Sequence, residues 1–288
     1  MMLLRYPGSK HKIASRIVAQ FPDQVTVPLF QRGAIEYREP FLGGGAIAYQ
    51  VLKALPRSAR VWLNDADPGM CFLWNSVRFQ PDELEEEIER FSPTVSAFQK
   101  FKEEDGRTDL DPVHAGFRKL ALHTMSWGGL GSMAGGPLGG VNQSSEYNVD
   151  CRWRASRHRR TVRAFHRVLS RFSDLSITCK DFGDVITGAP EHAFVYADPP
   201  YFVKGPELYR LGMPKASDHT RLAELLRRSR ASWVLSYDDH DFIRGLYDWA
   251  EIQSVYLTYT VAIVKGERRK NSEILIRPKA DAAATAAE

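Results

Sequence analysis

Asp198-Pro199-Pro200-Tyr201 follows the apolar run Val195-Tyr196-Ala197, so an acid, two rigid residues and a ring stand at the end of one strand. Proline fixes φ and carries no N–H, so these carbonyls face outward and stay free to accept hydrogen bonds. Asp198 adds a second acceptor, and Tyr201 offers a flat apolar face beside both. The set suits a planar ring bearing an exocyclic amine, which is a nucleobase. A strand ending in a plain Pro-Pro turn is the simpler alternative, and the tetrapeptide alone leaves both open.

A second cluster lies upstream, at Glu39-Pro40-Phe41-Leu42-Gly43-Gly44-Gly45. Glycines at the end of a parallel strand let the backbone approach a ligand closely. Asp65, at the end of the next apolar run, is placed to grip the two hydroxyls of a ribose. Gly43–Ala48 also satisfies the loose dinucleotide fingerprint, with Asp65 at a fitting distance, so a nicotinamide-dependent oxidoreductase stays open. Glu39 is poorly placed for a pyrophosphate and well placed for the cationic end of S-adenosylmethionine. Tyr6-Pro7-Gly8-Ser9-Lys10 precedes a helix-like run over Ile13–Phe21. Either it is an ordinary helix start, or Tyr6 stacks on a cofactor and Lys10 meets a carboxylate. It is no P-loop, because the upstream glycine of that motif is missing.

The elements that must position these residues read as α/β. Strands are expected at Ile35–Glu39, Val61–Leu63, Leu175–Cys179, Phe194–Ala197 and Trp233–Ser236, with a terminal pair at Val255–Val264 and Glu273–Arg277. Helices are expected at Ala46–Ala54, Leu73–Phe79, Asp82–Phe91, Pro112–Ser126, His219–Arg228 and Phe242–Tyr247. Strand, glycine turn, helix, strand is the order of a parallel unit. Gly128–Gly140 holds seven glycines in thirteen residues and reads as a loop. The pattern is one α/β domain split in sequence by a helical insert.

The order Tyr-Pro-Gly-Ser-Lys, Glu-Pro-Phe-x-Gly-Gly-Gly, Leu-Asn-Asp-x-Asp, a long insert and Asp-Pro-Pro-Tyr resembles the Dam-like, D12-class family of N6-adenine DNA methyltransferases. The likeness continues through Asp218-His219, Ser236-Tyr237 and Ser272–Ile276, and spans most of residues 4–278. It implies a Rossmann-like S-adenosylmethionine-dependent methyltransferase fold. The catalytic part would be 1–68 and 172–279, the Arg-rich target-recognition insert 69–171, and the tail 280–288 disordered. It implies S-adenosyl-L-methionine as cofactor, held by Tyr6, Lys10, Glu39, Phe41, Gly43, Gly45, Asp65 and Asp198, with Asp181 and Phe182 flanking its adenine. It makes Asp198, Pro199, Pro200 and Tyr201 the catalytic set around a flipped adenine in double-stranded DNA, with RNA as the alternative polymer. The insert departs from the family: Trp127-Gly128-Gly129-Leu130 stands where Asn-Gly is common, and Tyr147-Asn148-Val149 is followed by Asp150. The DNA sequence recognised is therefore not carried over.

From Arg152 to Arg171 there are eight arginines, two histidines and no acid. On a helix from about Ser156 to Phe172, Val162, Phe165, Leu169 and Phe172 share one side, and Arg160, Arg163, Arg167 and Arg171 the other. A solvated face is the plain reading. A stripe of one sign with nothing in the run to offset it favours phosphate contact instead. Arg152, Arg154 and Arg157 are expected on the same DNA-binding surface. The whole chain of 288 residues, 43% hydrophobic and 26% charged, has ordinary globular composition and a net charge of +4. No apolar stretch reaches the roughly 18 residues of a membrane span, and Met1–Leu4 is too short for a signal-peptide core. Cys71, Cys151 and Cys179 show neither metal nor disulfide spacing, so no metal and a reducing cytoplasm are expected.

Overall fold

A strand made of Glu36, Tyr37, Arg38 and Glu39 lies inside the sheet, third of seven, with every residue buried. Strand periodicity puts Glu36 and Arg38 on one face and Tyr37 and Glu39 on the other. Arg38 donates from Nε to Glu36 Oε1 at 2.6 Å and from Nη1 to the Val185 carbonyl at 2.6 Å. The Tyr37 hydroxyl donates to Glu39 Oε2 at 2.5 Å. These pairings on each face let so polar a sequence occupy an interior strand.

The computed structural model describes residues 1–4, 10, 13–19, 21, 35–203, 205, 213, 215–257 and 271–279. Tyr6, the expected strand residues 258–264 and the tail 280–288 lie outside the described residues. The strands are β1 (Glu36–Glu39), β2 (Arg60–Asn64), β3 (Leu175–Thr178), β4 (Ala193–Ala197), β5 (Ser232–Asp238), β6 (Glu251–Leu257) and β7 (Asn271–Arg277). Their order across the sheet is β3-β2-β1-β4-β5-β7-β6. The first five run parallel, and β7 is antiparallel to both β5 and β6.

Ten helices are described: α1 (Ala14–Val18), α2 (Ala46–Ala54), α3 (Pro68–Phe79), α4 (Pro81–Arg90), α5 (Val95–Glu103), α6 (Pro112–Met125), α7 (Ala155–Leu169), α8 (Phe182–Ile186), α9 (Ala216–Arg228) and α10 (Asp241–Leu246). They cover both sheet faces, and β4 shows how. Phe194 and Tyr196 enter one apolar cluster with side chains from α1, α2, α3, α6 and α7. Val195 and Ala197 enter a second with α8, α9 and α10. A strand buried on both faces reads as a continuous apolar run. The order reverses between β1 and β4, which makes their carboxyl ends the switch point where ligands bind in open α/β sheets. This is the Rossmann-like α/β fold expected for a methyltransferase.

Several boundaries differ from expectation. Helix α5 was not anticipated; Thr94 caps it through the Ala97 N–H at 3.0 Å, and Phe98 and Phe101 bury its inner side. Strand β6 begins at Glu251 rather than Val255. The Gly-rich stretch contains two short 3-10 turns, Trp127–Gly129 and Gly131–Met133. The elements described within 69–171 are helices and short 3-10 turns, and the segment shares its core with the sheet: Met70, Trp74, Phe117 and Phe165 lie in the same cluster as Tyr37, Leu63 and Phe194.

The turn after β1 shows how different the demands on two nearby glycines are. Gly45 precedes α2 in the left-handed region at φ +67°, and a Cβ there would lie 2.5 Å from the Trp74 ring. Gly43 is also left-handed, at φ +47°, but a Cβ there would meet nothing within 4 Å. Left-handed geometry costs an L-residue about 1–2 kcal/mol, and overpacking adds about 1–3 kcal/mol. Gly45→Ala is therefore expected to cost about 2–5 kcal/mol, and Gly43→Ala about 1–2 kcal/mol. Denaturant titrations that gave equal losses would refute the steric assignment of Gly45.

Candidate active site

Asp198 leaves the carboxyl end of β4 with its side chain about one-fifth exposed. Lys10 Nζ donates to Asp198 Oδ1 at 2.8 Å, and Ser236 Oγ, on β5, donates to the same oxygen at 2.8 Å. The Tyr196 hydroxyl lies 2.9 Å from Ser236 Oγ. Both partners of Asp198 fall on Oδ1; among the described residues none engages Oδ2. No donor among them reaches the Pro199 or Pro200 carbonyl either.

Lys10 is 2% exposed and also lies 4.0 Å from Glu273 Oε1 on β7. Burial works against its charge, but the carboxylates of Asp198, Glu273 and Asp238 outweigh it and hold the ammonium above its usual pKa. Sequence reasoning expected Lys10 to meet a carboxylate without naming it; in the structure that carboxylate is Asp198. Lys10 also sits over the Tyr201 ring, 4.6 Å from its centroid, so at most one face of that ring is open to a planar ligand. Burial, with Asp198 and Glu273 adding, pushes the Tyr201 phenol far above its usual pKa. Beyond Tyr201, the Phe202 N–H donates to Asp238 Oδ1 at 3.2 Å, and Phe202 stacks on Phe242 with centroids 4.5 Å apart. These contacts fix where the Asp-Pro-Pro-Tyr segment leaves the sheet.

On the other side of the switch point, Asp65 follows β2. Its Oδ2 accepts the Gly43 N–H at 2.9 Å and its Oδ1 the Asp67 N–H at 3.0 Å. Burial and the neighbouring Asp67 push its carboxyl up to about 6. Phe41 is half-buried beside Phe182, with centroids 5.4 Å apart. A ring beside Phe41, two hydroxyls on Asp65 and a close approach over the open Gly43 fit a nucleoside. Gly45 instead serves packing against Trp74. Glu39 is 2% exposed and held by Tyr37; burial pushes its carboxyl well above the usual range, so it favours the neutral form unless a cation lies beside it. Asp181 caps α8 through the Gly183 N–H at 2.7 Å and forms a bidentate pair with Arg221, both contacts at 2.7 Å. Arg221 stacks on Phe182 at 4.1 Å. Asp181 and Phe182 are thus already flanked by an arginine that the sequence did not single out.

The arginine run divides. Arg163 pairs with Asp82 and Glu85 of α4, and Arg159 pairs with Glu85 at 3.2 Å and Glu89 at 2.8 Å. Arg171 binds the carbonyls of Leu52, Lys53 and Leu55 at 3.0–3.1 Å, capping α2. The premise of an uncompensated stripe is therefore corrected: the offsetting acids come from a helix distant in sequence. Arg157, Arg160 and Arg167 are exposed, and their side chains have no ion pair or hydrogen bond among the described residues. Arg154 binds the Trp153 carbonyl at 2.8 Å, and Arg152 contacts the Ser126 carbonyl at 3.5 Å, beside the Gly-rich loop. Ser236 and Glu273, which the sequence placed only in the strands that extend the family likeness, join the site as contacts of Asp198 and Lys10, and Tyr196 joins through Ser236. The Ser236-Tyr237 and Ser272–Ile276 segments carried the signal for Ser236 and Glu273; Tyr196 had none beyond its place in the β4 run.

No described helix is long and apolar enough to cross a membrane. The family model of the D12 class N6 adenine-specific DNA methyltransferases matches residues 6–261, a span that includes β1 to β6 and both halves of the site. The type II methyltransferase M.MjaIII of Methanocaldococcus jannaschii is 24% identical over 295 residues, covering 95% of this chain and 97% of that protein. With its acceptor cluster at β4, its carboxylate at β2 and a family match over nearly its whole length, the chain belongs to the D12 class of N6 adenine-specific DNA methyltransferases.

Proposed function

We propose that this methyltransferase takes its methyl group from S-adenosylmethionine and delivers it to the N6 amine of an adenine flipped out of duplex DNA. The observation that carries this reading is the arrangement at Asp198. Lys10 and Ser236 both hold Oδ1, while Oδ2 and the Pro199 carbonyl keep acceptor capacity beside the Tyr201 ring. Bound S-adenosylmethionine supplies an electrophilic methyl group. Phe41, Gly43 and Asp65 would hold its nucleoside, and a sulfonium beside Glu39 would draw that carboxyl toward its charged form.

Adenine N6 is a poor nucleophile because its lone pair is delocalised into the ring. Asp198 and the Pro199 carbonyl each accept one N6 hydrogen, which localises the lone pair. Positive charge grows on N6 in the transition state, so preorganised acceptors there stabilise it more than the ground state. Flipping costs a few kcal/mol; stacking of the base on the Tyr201 ring would return about 1–3 kcal/mol. Arg157, Arg160 and Arg167 supply phosphate contacts. Three unpaired cysteines fit a reducing cytoplasm.

Incubation with methyl-labelled S-adenosylmethionine and unmethylated DNA, followed by nucleoside analysis, tests the reaction. Label in N6-methyladenine is expected; label confined to RNA, or to another base, would refute it. Asp198→Asn should lower the transfer rate by about 10²–10³-fold while cofactor affinity stays within about twofold, because Asn keeps a partner for Lys10. Asp65 must be ionised to accept ribose hydroxyls, and its carboxyl titrates at about 6. Cofactor affinity is therefore expected to be flat above that pH and to fall about tenfold per unit below it, with the dependence lost in Asp65→Asn. A titration showing the same slope in both proteins would remove Asp65 from the cofactor site. Replacing Arg160 and Arg167 by Gln should reduce the salt slope of duplex binding by about 1.8. The same change at Arg159 and Arg163 should leave that slope unchanged, and the reverse pattern would mean that the paired arginines are the phosphate contacts.

A further inference from the structure

Lys119 lies near the middle of α6, 4% exposed, far in sequence from either half of the site. A buried ammonium persists only when it is well paired. Its Nζ lies 2.5 Å from Asp67 Oδ2 and 3.5 Å from Asp105 Oδ1. Asp105 Oδ2 accepts the Ser132 hydroxyl at 2.5 Å, from the Gly-rich loop of the insert. Asp67, on the other side, caps α3 through the Gly69 N–H at 2.8 Å. Its own N–H donates to Asp65 Oδ1 at 3.0 Å. One connected path of polar contacts thus runs Ser132, Asp105, Lys119, Asp67, Asp65.

The path is tightly held. A Cβ on Gly69 would lie 3.0 Å from Lys119 Cδ. The loop is pinned to α6 twice more: the Gly131 N–H donates to Ser126 Oγ at 2.9 Å, and His123 Nδ1 lies 2.8 Å from the Gly129 carbonyl. Burial and the Lys119 charge hold His123 down at about 4, so it is neutral and sits against Gly131, where a Cβ would lie 2.7 Å from Nε2. The loop between Trp127 and Met133 cannot shift without disturbing α6 or Asp105.

We propose that Lys119 is a positioning residue coupling the Gly-rich loop of the insert to Asp65, so that filling the methyl-donor site steadies that loop. The proposal rests on the reading of Asp65 as the ribose ligand. A donor held by Asp65 fixes the carboxylate that already accepts the Asp67 N–H, and Lys119 carries that constraint to Asp105 and Ser132. Coupling of this kind is reciprocal, so a partner that orders the loop must tighten donor binding by the same factor.

Hydrogen exchange of residues 126–140 in the full chain, with and without saturating S-adenosylmethionine, tests it. The donor is expected to slow exchange of this segment in the wild-type protein. Ser132→Ala should remove most of the slowing while donor affinity stays within about tenfold of wild type. Lys119→Met should remove the slowing and weaken donor binding about tenfold, and the double variant should lose no more than Lys119→Met alone. If Lys119→Met does not fold, Ser132→Ala decides the matter. Wild-type slowing retained in Ser132→Ala, or a wild-type loop indifferent to the donor, overturns the coupling. Donor binding unaffected by Asp65→Asn overturns the reading of Asp65, and the coupling falls with it.

Discussion

The carboxyl edge of the sheet is organised around the buried ion pair between Lys10 and Asp198. An ammonium 2% exposed beside a carboxylate at 2.8 Å survives because a second carboxylate, Glu273, stands 4.0 Å away and an aromatic ring lies beneath it. Removing one partner of a fully buried pair typically costs about 3–5 kcal/mol; here Glu273 beside Lys10 and the partial exposure of Asp198 soften that loss. The pair draws three distant pieces of chain together: the N-terminal segment, the end of β4 and the last strand. It also decides which oxygen of Asp198 is free. With Lys10 and Ser236 both on Oδ1, the carboxylate is oriented before any substrate arrives, which is the condition for preorganised electrostatic stabilisation.

The insert is less separate than its place in the sequence suggests. Its helices bury Trp74, Phe117 and Phe165 in the cluster that covers one sheet face, and it sends Lys119 to the turn behind β2. The arginine-bearing surface of the insert is therefore built on the same core as the Asp198 cluster. Its charge is sorted by the same packing. Antiparallel contact between α4 and α7 consumes Arg159 and Arg163 as partners of Asp82, Glu85 and Glu89, and leaves Arg160 and Arg167 outside. Both the acidic face of α4 and the basic face of α7 are readable as helix periodicity; their mutual neutralisation depends on which faces touch.

Local sequence determined a good deal. Apolar runs ending in Asp198 and Asp65 specified parallel strands, because strands buried on both faces usually read as apolar runs. The glycine turn after Glu39 and the Asp-Pro-Pro-Tyr segment were legible from covalent restrictions on φ, and their order along the chain carried the family. What eluded the sequence was of another kind. Strand β1 reads as polar, and its place inside the sheet follows from the pairing of Glu36 with Arg38 and Tyr37 with Glu39. Arg221 beside Asp181, Lys10 on Asp198 and Lys119 on Asp67 each join residues more than 35 positions apart. Periodicity and turn chemistry act over a few residues, so the sequence by itself determined which strands, turns and reactive groups exist. Long-range electrostatic pairing is settled by the packing of whole elements, so only the tertiary structure decided which charge meets which and which oxygen of Asp198 stays free.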